Sequence, residues 1–171
     1  MTRMAQDSSD RVDAIIDQWA RERPDVDVSG MALVARISRL ERMIAPRLDE
    51  VFARHGLASW EFDLLATLRR NGSPFELTPG QLLDSMMIST GAVTNRIDRL
   101  QQRGFVKRTK RPGDGRQVLV GLTAKGLKTV NTALVDHAAN EMTIASVLSA
   151  AQRRQLVSLL RSLTVGLQSE Q

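Results

Sequence analysis

The sequence predicts a mainly α-helical chain that carries one small β-hairpin. Three observations support that class. Apolar residues recur at spacings of three and four along most of the 171 residues. Thr78-Pro79-Gly80-Gln81 opens a short helix, and a second helix follows after a few residues. Beyond Gly104 the apolar period drops to about two on either side of Pro112-Gly113-Asp114-Gly115, a turn-forming run.

Taken in order, the elements are as follows. Val12, Ile15, Ile16 and Trp19 form one stripe on a helix over about 9–23, which Pro24 ends. After a linker over 25–30, a long helix spans about 31–54, with Val34, Ile37, Leu40, Ile44, Leu48 and Val51 on one side. Pro46 falls inside it and is expected to kink or interrupt it. Gly56 stops that helix, and Ser59 is placed to cap a third over 60–70. Asn71-Gly72-Ser73-Pro74 is a turn. Thr78 and Gln81 make a capping box for a helix ending near Met86; Met87 and Ile88 connect it to a helix capped by Ser89 and running to about Arg103. Two short helices joined this tightly are a helix-turn-helix. A strand over 105–108, an irregular loop over 110–116 and a returning strand over 118–122 then make it a winged helix-turn-helix. Thr123 caps a long helix to about Ile144. Ser149 and Gln152 box a last helix striped by Leu156, Leu159, Leu160 and Leu163.

Composition narrows the chemistry. Hydrophobic residues make 42% and charged residues 25%, the balance of an ordinary globular chain. Cysteine is absent and only 2 histidines are present, which removes disulfide scaffolds, thiolate metal sites and cysteine nucleophiles. No zinc-protease, phosphate-loop or serine-hydrolase motif occurs, so neither catalytic nor metal-ligating residues are assigned and no cofactor is expected. His55 and His137 read as surface or interface residues, and Met86 and Met87 as core. No signal segment and no apolar run near 20 residues is seen, so a cytoplasmic chain without membrane contact is expected.

The net charge is +5, and its distribution is uneven. Residues 94–117 hold eight bases and two acids, a net +6, which leaves −1 for the rest of the chain. All the net positive charge therefore sits on one helix and the hairpin behind it. Such a block offers counterion release to a phosphate backbone. On a helical wheel Val93, Ile97 and Leu100 turn inward, while Gly91, Asn95, Asp98 and Gln102 lie opposite. Thr90, Thr94, Asn95 and Arg99 are the candidates for base edges, since asparagine suits adenine and arginine guanine. Arg111 and Arg116 on the hairpin suit an adjacent minor groove or its phosphates.

These residues resemble the MarR family of bacterial transcriptional regulators. The likeness rests on Thr94-Asn95-Arg96-Ile97-Asp98-Arg99-Leu100, on Gly104-Phe105-Val106, on Asp114-Gly115-Arg116 and on Leu122-Thr123-Ala124-Lys125-Gly126. It covers about 31–167 and implies a homodimer on a palindromic double-stranded DNA operator. Its division of the chain is an extra N-terminal helix and linker over 1–30, a helical dimerisation region over 31–58 and 123–171, and a DNA-binding lobe over 59–122. The extra helix is similar to the branch that answers to small anions such as urate or trans-aconitate; citrate would also suit paired arginines. For that branch the resemblance implies a ligand set of Trp19, Asp63, Arg96 and Arg108. Packing alone also accounts for Trp19, solvation or an arginine partner for Asp63, and a phosphate contact for Arg108.

The reading with most support is thus a ligand-responsive, sequence-specific transcriptional regulator, and a repressor by family habit. The alternative is a winged-helix module for protein or non-specific nucleic-acid contact without an effector. An enzyme is the third class and lacks any supporting motif.

Overall fold

The computed structural model describes residues 9–86, 90–111 and 114–169, and the side chains of 90, 111 and 114–116 are outside that description. The expected connection at Met87 and Ile88 and the cap at Ser89 also lie outside it. The chain forms helices α1 (Arg11–Glu22), α2 (Ser29–Arg54), α3 (Ser59–Arg70), α4 (Pro79–Met86), α5 (Thr90–Gln102), α6 (Ala124–Ala145) and α7 (Ala150–Gln168), together with a small sheet. Its strands are β1 (Glu76–Leu77), β2 (Val106–Arg111) and β3 (Asp114–Leu122), in the antiparallel order β1-β3-β2. The mainly helical winged helix-turn-helix class is the observed one. The chain forms two compact units, Met1–Pro46 and Arg47–Gln171.

In the first unit Asp10 caps α1. Its carboxylate accepts from Val12 N at 2.7 Å and Asp13 N at 3.2 Å, and the Asp13 carboxylate accepts from Asp10 N at 2.7 Å. That backbone N–H, aided by the Arg36 guanidinium, holds the Asp13 carboxyl below its usual value. The first turn is thereby tied to the start of α2. Between the two helices Val12, Ile15, Ile16, Met31 and Val34 line an apolar cleft of about 490 Å³.

Pro46 does not interrupt α2, which runs unbroken for 26 residues. A proline costs one backbone bond and crowds the preceding turn. Here Val51 and Phe52, one turn and more beyond it, are buried in the second unit, and their packing offsets that loss. Gly56, at φ 66°, ends the helix.

The second unit holds one core. Leu64, Leu65 and Leu68 of α3 meet Leu82 of α4, Val93, Ile97 and Leu100 of α5, Val106 and Val120 of the sheet, and Val130 and Ala133 of α6. Helix α3 begins one residue earlier than expected, with Ala58 rather than Ser59 at the cap. The Glu61 carboxylate accepts from Ala58 N at 2.9 Å and fixes that start, while the Ser59 hydroxyl donates to Asp49 instead. The Thr78–Gln81 and Ser149–Gln152 boxes form as expected, each with both reciprocal bonds. Thr123 caps α6 by accepting from Gly126 N at 3.0 Å.

The hairpin differs from expectation. Lys110, Arg111, Asp114, Gly115 and Arg116 lie on strands, not in an irregular loop. Arg111 pairs with Asp114, with a register shift just before it. An antiparallel ladder tolerates glycine and arginine at an exposed edge, so turn-forming composition does not by itself end a strand. Strand β1 was not expected at all; it exists by pairing Glu76 and Leu77 with Gly121 and Val120. Gly104, at φ 72°, turns the chain from α5 into β2.

Candidate functional site

Helix α5 is amphipathic by construction. Val93, Ile97 and Leu100 are buried, and Thr94, Asn95, Asp98, Arg99 and Gln102 are exposed. The packed side anchors the helix to the core, so the polar side is presented rigidly outward. Among the predicted DNA-contacting residues, Thr94, Asn95 and Arg99 thus occupy one exposed face. Thr90 opens the helix, and Arg111 and Arg116 lie on β2 and β3, with their side chains undescribed.

The orientation of α5 is also fixed at its far end. Arg103 donates to the buried Glu61 carboxylate and, at 2.6 Å, to the Gly56 carbonyl. A buried carboxylate needs such a partner, because an unpaired charge there is costly. Arg108, on β2, reaches back to α5 and donates to Asp98 and Gln101, both at 2.6 Å. Asp98 is an acid within the exposed face, and Arg108 neutralises it. This contact clips the hairpin to the helix.

A second feature lies where α3, α4, α5 and α6 meet. Asp63, Thr67 and Arg70 of α3, Ser85 and Met86 of α4, Arg96 of α5 and His137 of α6 line a cleft of about 490 Å³. Burial pushes the Asp63 carboxyl up, and the charges of Arg96, His137 and Arg70 pull against that rise. Asp63 is an exposed residue, and a carboxylate ringed by bases in a cleft has the chemistry to meet a polar ligand. Asp63 and Arg96 are therefore brought together. Arg108 is not in that cleft; it lines another, with Asp98, Gln101 and Gln102. Trp19 belongs to the first unit, on α1, and is 45% exposed.

The two histidines are mostly covered within the chain itself, which leaves the surface alternative for them unsupported. His137 is 15% exposed at its side chain and lies 5.0 Å from each of the stacked rings of Phe52 and Phe62. His55, equally covered, is hydrogen-bonded through Nε2 to the Asp136 carboxylate at 2.9 Å. Glu141, four residues on along α6, pairs with His137 at 3.3 Å and was within reach of sequence reading, whereas Phe52, Phe62 and, for His55, Asp136 are brought in from other elements. Sequence reasoning also passed over Arg70, Thr67, Ser85 and His137 as cleft residues, and Trp60. Spacing along α3 places Thr67 and Arg70 one and two turns beyond Asp63, a signal that was present but had no ligand-specific pattern. The Trp60 ring lies under two guanidiniums, with Arg96 at 5.7 Å and Arg99 at 5.5 Å from its centroid.

Known proteins resemble the chain in sequence and in fold. The sequence model of the MarR family matches residues 55–117. The HTH-type transcriptional regulator PecS of Dickeya dadantii (strain 3937) is 40% identical over 149 residues, which is 87% of this chain and 90% of that one. A MarR family transcriptional regulator from Streptomyces coelicolor has the same fold, with TM-score 0.71 and 26% identity over 84% of this chain and 98% of that one. A mutant MarR from E. coli, solved in complex with operator DNA, aligns with TM-score 0.68 at 23% identity over 85% of this chain and 96% of its own. These relatives are regulators and not enzymes. By sequence and by fold, the chain belongs to the MarR family of transcriptional regulators.

Proposed function

We propose that this regulator is a homodimeric repressor that binds a palindromic operator and is released by a small anionic metabolite held between Asp63 and Arg96. One observation carries the reading. Arg96 lines the Asp63 cleft and stands on the same helix that presents Thr94, Asn95 and Arg99 outward. A ligand that repositions Arg96 acts directly on the DNA-facing element. In this reading Thr90, Thr94, Asn95 and Arg99 enter the major groove, while Arg111 and Arg116 contact the flanking backbone. The MarR mutant seen with operator DNA has the same fold, which supports the docking.

A second copy is supported by apolar surface that one chain leaves uncovered. Leu33, Val34, Leu40 and Met43 of α2, and Leu156, Leu159, Leu160 and Val165 of α7, are all exposed. The proposal assigns 31–58 and 123–171 to dimerisation, 59–122 to DNA and 1–30 to the effector response. Among the described residues no helix is long and apolar enough to cross a membrane, and a cytoplasmic location is proposed with the function.

The composition of the cleft narrows the effector class. Arg96, Arg70 and His137 favour an anion, but Asp63 requires a donor facing it. An anionic heterocycle with N–H groups, such as urate, satisfies both. Trans-aconitate or citrate would set a carboxylate against Asp63. Trp19 enters this set through the family resemblance alone, and Arg108 would join it only by exchanging Asp98 for the anion.

The test is a gel shift on duplex from the chain's own upstream region, with random duplex as control, repeated with urate, trans-aconitate and citrate. Specific binding that urate alone releases is the expected result. Equal affinity for both duplexes would instead support a non-specific winged-helix module. Quenching of Trp19 by urate in a Trp60→Phe background tests its membership of the site.

A further inference from the structure

Arg96 faces two cavities. It lines the Asp63 cleft, and it also lines a shallower one formed by Trp60, Gly91, Ala92, Asn95 and Arg99. The floor of this second cleft is the Trp60 indole, and its rim includes two of the residues assigned to DNA. The indole holds both guanidiniums within 6 Å, at 5.7 Å for Arg96 and 5.5 Å for Arg99. Trp60 itself is half-buried against the core at the start of α3. The ring is therefore fixed while the two arginine heads can move.

The physics of this triad is competitive. An aromatic face attracts cations through its quadrupole. Two like charges at one ring repel each other. Each guanidinium thus weakens the hold of the ring on the other. Both residues stand on α5, one turn apart, so their heads are neighbours by construction.

Resting on the effector reading above, we infer that Trp60 is a positioning residue that couples occupancy of the Asp63 cleft to the posture of Arg99. An anion in the cleft draws the Arg96 guanidinium off the indole. The ring, freed of its competitor, holds Arg99 more firmly and withdraws it from phosphates and base edges. The reverse step follows by linkage: DNA draws Arg99 away, the ring retains Arg96, and the anion binds less tightly. No backbone movement is needed for this part of the coupling.

A double-mutant cycle on DNA affinity tests the inference without any effector. Arg96→Gln removes the competitor permanently and weakens binding to the upstream duplex. In a Trp60→Leu background the same substitution costs at least about threefold less, since the general loss of one positive charge appears in both backgrounds and cancels. Trp60→Phe, which keeps a ring face, restores most of the difference. Equal losses in all three backgrounds would overturn the coupling, and circular dichroism confirms that each variant is folded. A spectroscopic arm uses Trp19→Phe, which leaves Trp60 as the sole tryptophan. Duplex shifts its emission, and the additional change Arg99→Gln removes the shift; a shift that persists counts against the proposal. Calorimetry with urate separates the two ideas. If urate fails to bind the unaltered protein, the effector reading falls while the cycle still decides the role of Trp60. If urate binds and releases DNA equally well from the Trp60→Leu protein, the coupling falls and the effector reading stands.

Discussion

Helices α5 and α7 each carry an apolar stripe, and the chain treats the two differently. Val93, Ile97 and Leu100 of α5 are 2%, 1% and 0% exposed. On α7, which runs for 19 residues against 13, no residue is buried, and Leu159 and Leu160 stand 61% and 41% exposed. Amphipathic spacing alone therefore says that a face will be covered, not by what. For α5 the cover is the core of its own chain, which presents the polar side rigidly outward, as the proposed DNA contact requires. For α7 the apolar side remains available, as a surface meant for a second copy would be.

Substitutions separate these fates. The largest effect on folding is expected from Leu100→Ala, at about 3 kcal/mol, because a fully buried leucine loses its transfer energy and leaves a cavity. Urea unfolding measures it, and a cost below about 1 kcal/mol would contradict the packed role of the stripe. Arg99→Ala should leave urea unfolding unchanged yet weaken specific DNA binding by about 2 kcal/mol, roughly thirtyfold, with a shallower salt dependence. Leu160→Ala is expected to cost the second unit little in folding, within about 0.5 kcal/mol at low protein concentration. It should instead shift the monomer–dimer balance seen by sedimentation toward monomer; an unaltered balance would remove α7 from the interface.

The smallest effect concerns the Asp63 cleft. Burial raises the Asp63 carboxyl, so its ionised form costs the folded state stability at neutral pH. Asp63→Asn should produce a small rise in Tm at pH 7. That advantage closes as pH falls through the raised value toward the ordinary 3.8, where the acid is protonated in both states. A gain that stays constant down to pH 3 would point to packing instead of charge.

Much of this was legible from local chemistry. The Thr78 and Ser149 boxes depend on residues three apart, and the inward face of α5 on a regular period. Strand β1 was hidden because two residues carry no periodicity, and only the pairing with β3 defines it. The hairpin strands were underestimated because glycine, proline and arginine suggest a loop until a ladder partner is known. In the candidate site, Asp63 and Arg96 were named, but Arg70 and His137 were not. Their common cleft is assembled from α3, α5 and α6, which only the tertiary fold brings into one place. The clip from Arg108 to Asp98 was equally hidden, since it crosses the turn at Gly104.

The joint behind α5 is unusually intolerant. The Thr123 hydroxyl donates toward the Gly104 and Phe105 carbonyls, and a methyl group added at Gly126 would lie 2.0 Å from the Phe105 oxygen. Any side chain there forces α6 away from the Phe105 backbone that joins α5 to β2. Gly126→Ala would accordingly yield a heat-labile allele, functional in cool-grown cells and lost a few degrees higher. Genes under its control would then answer to the temperature of the culture, so that one altered codon turns a metabolite sensor of the proposed kind into a crude thermometer.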